Sequence, residues 1–163
     1  MAPDHKLLIL GLGNPIVSDD AVGYIVVDEL RKRIDHPGVT FETAQAGGLA
    51  LLDVVSGYDH VIVIDAIKTG NHEPGEIIQF RPEDYMGSPR GTAAHNVSFF
   101  QALELGRRTG MEMPEDIRIV AIEIVDNVNI REELTVEVRK AVPKAVDIVR
   151  HLAGDMGFNA AAD

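Results

Sequence analysis

The chain has no cysteine in its 163 residues, which excludes a disulfide framework, a thiolate metal site and a cysteine nucleophile. Any metal must therefore be met by histidine and carboxylate. Positive charge is scarce: 15 Lys and Arg stand against 26 Asp and Glu, a formal charge of -11. A field of that sign repels phosphate backbones and anionic membrane surfaces, so neither nucleic acid nor membrane is an expected partner. Long apolar runs are missing too. Met1 to Lys6 is polar, and the run that follows is too short for a signal h-region or a membrane span. A cytoplasmic location is the resulting expectation. No serine lies in a G-x-S-x-G elbow, which disfavours serine hydrolysis. No internal repeat with a period of 20 to 50 residues is present.

What is present is ordinary for a soluble protein: 45% hydrophobic and 25% charged residues. A chain of this length buries roughly two thirds of its unfolded surface without staples, so residues 1–163 read as one domain. Its core spans about residues 6–153, and a tail at 154–163 is expected to fray. Leu7 to Leu10, closed by Gly11, is a continuous apolar run suited to a buried parallel strand. Val22, Val26 and Leu30 recur at helical spacing up to a stop at Pro37-Gly38. Val39 to Thr43 reads as a second strand and Gly48 to Val55 as a short helix. His60-Val-Ile-Val-Ile-Asp65 is the strongest strand, and its β-branched residues place it at the sheet centre. Glu76 to Arg81 forms a strand between Gly- and Pro-rich loops, and Phe99 to Gly106 a helix. Ile117 to Ile124 is a further strand. Leu134 to Leu152 traces a long amphipathic helix that Pro143 should kink or interrupt.

This alternation predicts an α/β three-layer sandwich, a twisted and mostly parallel sheet of about five strands flanked by helices. In such sheets ligands sit beyond the carboxyl ends of the strands, near the switch in strand order. Asp19-Asp20 follows the first strand, Asp65 ends the central one, and His72 and His95 lie in later loops. A carboxylate closing a buried strand needs a cation, a donor or a shared proton nearby. For Asp65 a cap on a neighbouring amide is as good a reading as a functional carboxylate. For Asp20 the helix dipole offers a non-functional explanation. His95 directly precedes a helix and can point into the same crevice, and only His72 competes with it. His5, His36 and His151 lie in a tail, a turn and the terminal helix, and His60 starts its strand at the opposite edge. Two carboxylates and an imidazole would suit a borderline divalent ion such as zinc or nickel, with positions open for water or substrate.

Gly11-Leu12-Gly13-Asn14-Pro15-Ile16 must be weighed as a phosphate cradle. Ile16 stands where the third glycine belongs and Pro15 removes an amide donor, so a tight turn of small residues is the better reading. The stretch from Gly11 to Gly23, G-L-G-N-P-I-V-S-D-D-A-V-G, resembles the opening of the hydrogenase maturation proteases. Val61 to Ile67 is similar to that family's central strand with its metal-binding aspartate, and Ala94-His95-Asn96-Val97-Ser98 to its histidine motif. Order and spacing agree across about residues 6–153. The resemblance implies a ligand set of Asp20, Asp65 and His95, and selects His95 over His72. It also implies an endopeptidase that removes a C-terminal peptide from the nickel-loaded large-subunit precursor of a nickel-iron hydrogenase. The nickel would arrive with the substrate, zinc or cadmium would substitute in a crystal, and the protease would be a monomer. One departure concerns Thr43 to Gly48, where many members carry Asp-Gly-Gly-Thr and this chain has no acid.

Two alternatives remain at this stage. Peptidyl-tRNA hydrolases also open on a strand and G-L-G-N-P, but the match ends at Pro15 and the acidity suits tRNA badly. A non-enzymatic metal- or nucleotide-binding module would bind free ligand without cleavage.

Overall fold

A computed structural model describes residues 4–45, 47–87 and 94–159, with the side chains of 85–98 left out. Five strands form one sheet: β1 (Leu7–Leu12), β2 (Val39–Ala44), β3 (His60–Ile67), β4 (Ile77–Phe80) and β5 (Asp116–Glu123). Their order across the sheet is β2-β1-β3-β5-β4. The first four are parallel, while β4 runs antiparallel against β5, pairing Ile77 with Ile122 and Phe80 with Ile119. The expected mostly parallel sheet is thus observed. β3 takes the centre with a parallel neighbour on each side. Val61, Ile62, Val63 and Ile64 are all fully buried, as an unalternating β-branched run requires when both faces are covered. Each such side chain contributes about 1.5–3 kcal/mol of apolar burial.

Four helices cover the faces: α1 (Val22–Arg31), α2 (Ala50–Val55), α3 (Ala94–Arg108) and α4 (Val136–Asp155). Because side chains alternate along a strand, β3 sends Ile62 and Ile64 into the core under α1 and α4, and Val61, Val63 and Ile67 into the one under α2 and α3. Asp65 has the parity of the second set, so it points toward the α2 and α3 face. α1 starts directly on the sheet. A Cβ on Gly23 would come within 2.5 Å of Leu12 O and 2.7 Å of Ile64 O, and one on Gly11 within 2.5 Å of Gly23 O. Only glycine permits that approach.

Pro143 does not interrupt the C-terminal helix, and the tail expected at 154–163 is ordered through Phe158, with 160–163 outside the described residues. α4 runs as one element through Pro143. The proline lies on the exposed side, where water can meet the Arg139 carbonyl that loses its donor. Beyond Gly154 the chain does not fray at once: α4 continues to Asp155, and Phe158 is 4% exposed against His36 and His60. An aromatic anchor without helical periodicity leaves no pattern to read. Among the described residues no helix is long and apolar enough to cross a membrane.

Candidate active site

Strand order reverses between β1 and β3, since β1 leads outward to β2 while β3 leads the other way to β5. The crevice beyond their carboxyl ends is the expected ligand position in such a sheet. The loop leaving β1 fills its near side. Gly13 N donates to Ala44 O at 3.2 Å and Asn14 N to Asp20 O at 3.2 Å. A side chain at Gly13, whose φ is +138°, would collide with that same Asp20 carbonyl. The amides of Gly13 and Asn14 are therefore spent within the fold, one on β2 and one on Asp20, which leaves neither for a phosphate.

Asp20 lies in the 3-10 turn Ser18–Ala21. Asp20 N donates to Val17 O at 2.9 Å, which fixes the backbone from the other side. Ser18 opens the turn at φ 36°, a conformation that costs a residue with a Cβ about 1 kcal/mol. Hydrogen bonds from Ser18 N to Arg131 O (2.8 Å) and from Ser18 Oγ to Glu133 O (3.1 Å) offset it.

Asp65 is 4% exposed and accepts a 2.8 Å hydrogen bond from Ala66 N. Its carboxyl is pushed up to about 7: burial raises it most, the Ala66 amide works in the opposite direction, and the negative charge of Asp20 adds to the rise. Asp20 and Asp65 are thus brought together as the sequence expects. Such a pair can share a proton or hold a divalent cation, and a cation would supply the charge that burial withholds. His95 falls in the first turn of α3, on the face toward which Asp65 points; its side chain lies outside the described residues. His72 is not gathered with the pair: its Nδ1 stands 3.3 Å from Glu76, and among the described residues no three metal-binding side chains come together. His60 sits at the opposite edge, 3.7 Å from Asp116.

Two buried carboxylates at this edge serve as staples. Asp19 is 0% exposed. It accepts from Val125 N (3.1 Å), Asp126 N (3.0 Å), Thr135 N (2.7 Å) and Thr135 Oγ1 (2.9 Å). Glu123, which the sequence reading passed over as strand interior, is 2% exposed and holds Thr69 N, Thr69 Oγ1 and Gly70 N. Those partners lie 53 or more residues away, so no local spacing could have signalled either role.

The profile of the hydrogenase maturation proteases matches residues 24–151. The chain belongs to the hydrogenase maturation protease family. The Hydrogenase 2 maturation protease of Escherichia coli K12 is 27% identical over 157 residues, covering 95% of this chain and 94% of that protein. A solved structure of the hydrogenase maturating endopeptidase HybD from Escherichia coli superposes with a TM-score of 0.81 at 26% identity, covering 95% and 96% of the two chains. The HybD [NiFe] hydrogenase maturation protease from Thermococcus kodakarensis gives 0.67 at 26% identity, over 91% and 99%. Membership in the family makes the protein a peptidase of hydrogenase maturation and matches the observed α/β fold.

Proposed function

We propose that this protease removes a C-terminal peptide from the large-subunit precursor of a nickel-iron hydrogenase, and that it recognises nickel already seated in that precursor. Asp20, Asp65 and His95 are the residues assigned to meet the ion. The observation that supports this is Asp65, a buried carboxyl at about 7 beside a second acid. Among the described residues Asp65 has no cation partner, and a substrate that carries one would complete the set and release any proton on Asp65.

Nickel in this reading belongs to the substrate. The enzyme's part is to fix its two carboxylates rigidly, Asp20 through the Gly13 and Asn14 turn and Asp65 through the central strand, so that the scissile bond docks beside them. Position fixed in advance is where most of the rate advantage of an intramolecular reaction arises. A metal at this place can polarise a carbonyl or lower the pKa of water.

The test is to incubate the protein with nickel-loaded and nickel-free precursors and follow loss of the C-terminal peptide by mass. Only the loaded form should be cut, and Asp20→Ala, Asp65→Ala and His95→Ala should each slow cutting at least about a hundredfold. Equal cleavage of both precursors, or full rates in all three variants, would overturn the assignment.

A further inference from the structure

Seven large hydrophobic side chains are exposed among the described residues, and all but Leu105 on α3 lie on loops or helix starts at the carboxyl edge of the sheet. Single exposed apolar residues need no explanation, but a gathering at one edge does. Its centre is the segment after β5, where Val128 is 76% and Ile130 80% exposed. Ile16 joins them. Val17 bridges in parallel with Arg131 and Arg131 N donates to Ile16 O at 3.0 Å, so in that register Ile16 stands beside Ile130.

The segment is rigidly built from within. Asp19 clamps its start at Val125 and Asp126 and its end at Thr135. Asp126 accepts from Val128 N, Asn129 N and Asn129 Nδ2, at 3.0, 3.0 and 2.8 Å. These bonds, with Arg131 nearby, hold its carboxyl down at about 2. The loop spends its Asp126 carboxylate on its own amides while Val128 and Ile130 stand in water. It is ordered in advance, so a partner would bury Val128 and Ile130 at little ordering cost. The clamp residue Asp19 is also the immediate neighbour of Asp20, which joins this surface to the cleavage site. Around it, Glu132, Glu133 and Glu137 are exposed acids, while the nearby cations are engaged: Arg131 stands 3.3 Å from Asp126, Arg139 donates to Leu134 O at 3.2 Å and Lys68 to Asn127 Oδ1 at 3.3 Å.

We propose that Ile16, Val128 and Ile130, with the acids Glu132 and Glu133 beside them, form the surface on which the precursor docks, taking a segment with apolar side chains flanked by basic ones. The inference rests on the proposed function, since it assigns the docking surface of that same reaction. Aspartate on the apolar positions removes the contact, and lysine on the acidic ones repels the basic flank.

Val128→Asp/Ile130→Asp and Glu132→Lys/Glu133→Lys are compared with the wild type on nickel-loaded precursor, with thermal melting as the check on folding. Each pair alters only exposed side chains, so melting should stay at the wild-type value. KM should rise about tenfold or more in both with kcat within about twofold, and in the lysine pair the salt dependence of kcat/KM should flatten. Wild-type cleavage with an unchanged KM in the aspartate pair overturns the docking surface alone, and an unchanged KM in the lysine pair overturns the basic flank. A wild-type dimer that the aspartate pair splits would give the surface to a second copy and overturn the proposal. A wild type that neither binds nor cuts the precursor overturns the functional reading and this inference with it.

Discussion

Asp19 and Asp65 are buried to nearly the same degree, 0% and 4% exposed, yet their surroundings differ in kind. The pocket around Asp19 supplies three backbone amides and a hydroxyl from the two ends of the segment after β5. The strand around Asp65, which continues to Ile67 rather than ending at the acid as the sequence suggests, supplies, among the described residues, the amide of its own neighbour and the negative charge of Asp20. Burial of an acid is therefore no sign of function by itself. What separates a staple from a site is the count of donors that come with the burial, because a buried carboxylate oxygen without a donor is left unsatisfied.

The largest expected effect sharpens the contrast through pH. Asp65 has a folded-state pKa of about 7 against an ordinary 3.8. The folded state therefore binds more protons between these values, and its stability is fully present below about pH 4 and lost as pH rises through about 7. The size is at most about 4 kcal/mol. Urea titrations of the metal-free protein at pH 4, 6 and 8 should show this decline, and Asp65→Asn should remove most of it, leaving a variant more stable than wild type at pH 8. A decline of equal size in the variant would break the comparison. Asp19→Ala goes the opposite way. It should cost about 3 kcal/mol by stranding buried amides, read as a shifted denaturation midpoint at unchanged slope. Glu123→Gln keeps an acceptor but loses charge, and should cost about 1–2 kcal/mol. Thr135→Val removes one donor to Asp19 and leaves the Thr135 amide, for about 1 kcal/mol; a loss as large as that of Asp19→Ala would contradict the division of labour drawn here.

Local patterning made the framework legible. The apolar run up to Asp65 identifies the central strand and the acid on it, and the tight turn expected of the small residues is found at Gly13, whereas Gly11 lies within β1 and serves the close approach of α1. The Asp19-Asp20 pair was visible, but the sequence could not tell which of the two is the clamp, because the deciding amides lie 106 to 116 residues further on. Glu123 was hidden for the same reason, within a run that reads as strand. Phe158, Val128 and Ile130 have neither helical nor strand period, so nothing local distinguishes a buried anchor from an exposed docking side chain. His95 owed its selection over His72 to motif resemblance alone.

The Asp19 clamp also carries a consequence for motion. The amide hydrogens of Val125, Asp126 and Thr135 sit on a segment whose outer side is washed by solvent, yet each is held by a carboxylate sealed beneath it. Their isotope exchange must wait for that carboxylate to let go. Three slow protons on an otherwise fast rim would thus time the opening of the segment beside Asp20, and report in the free enzyme how often its two halves come apart.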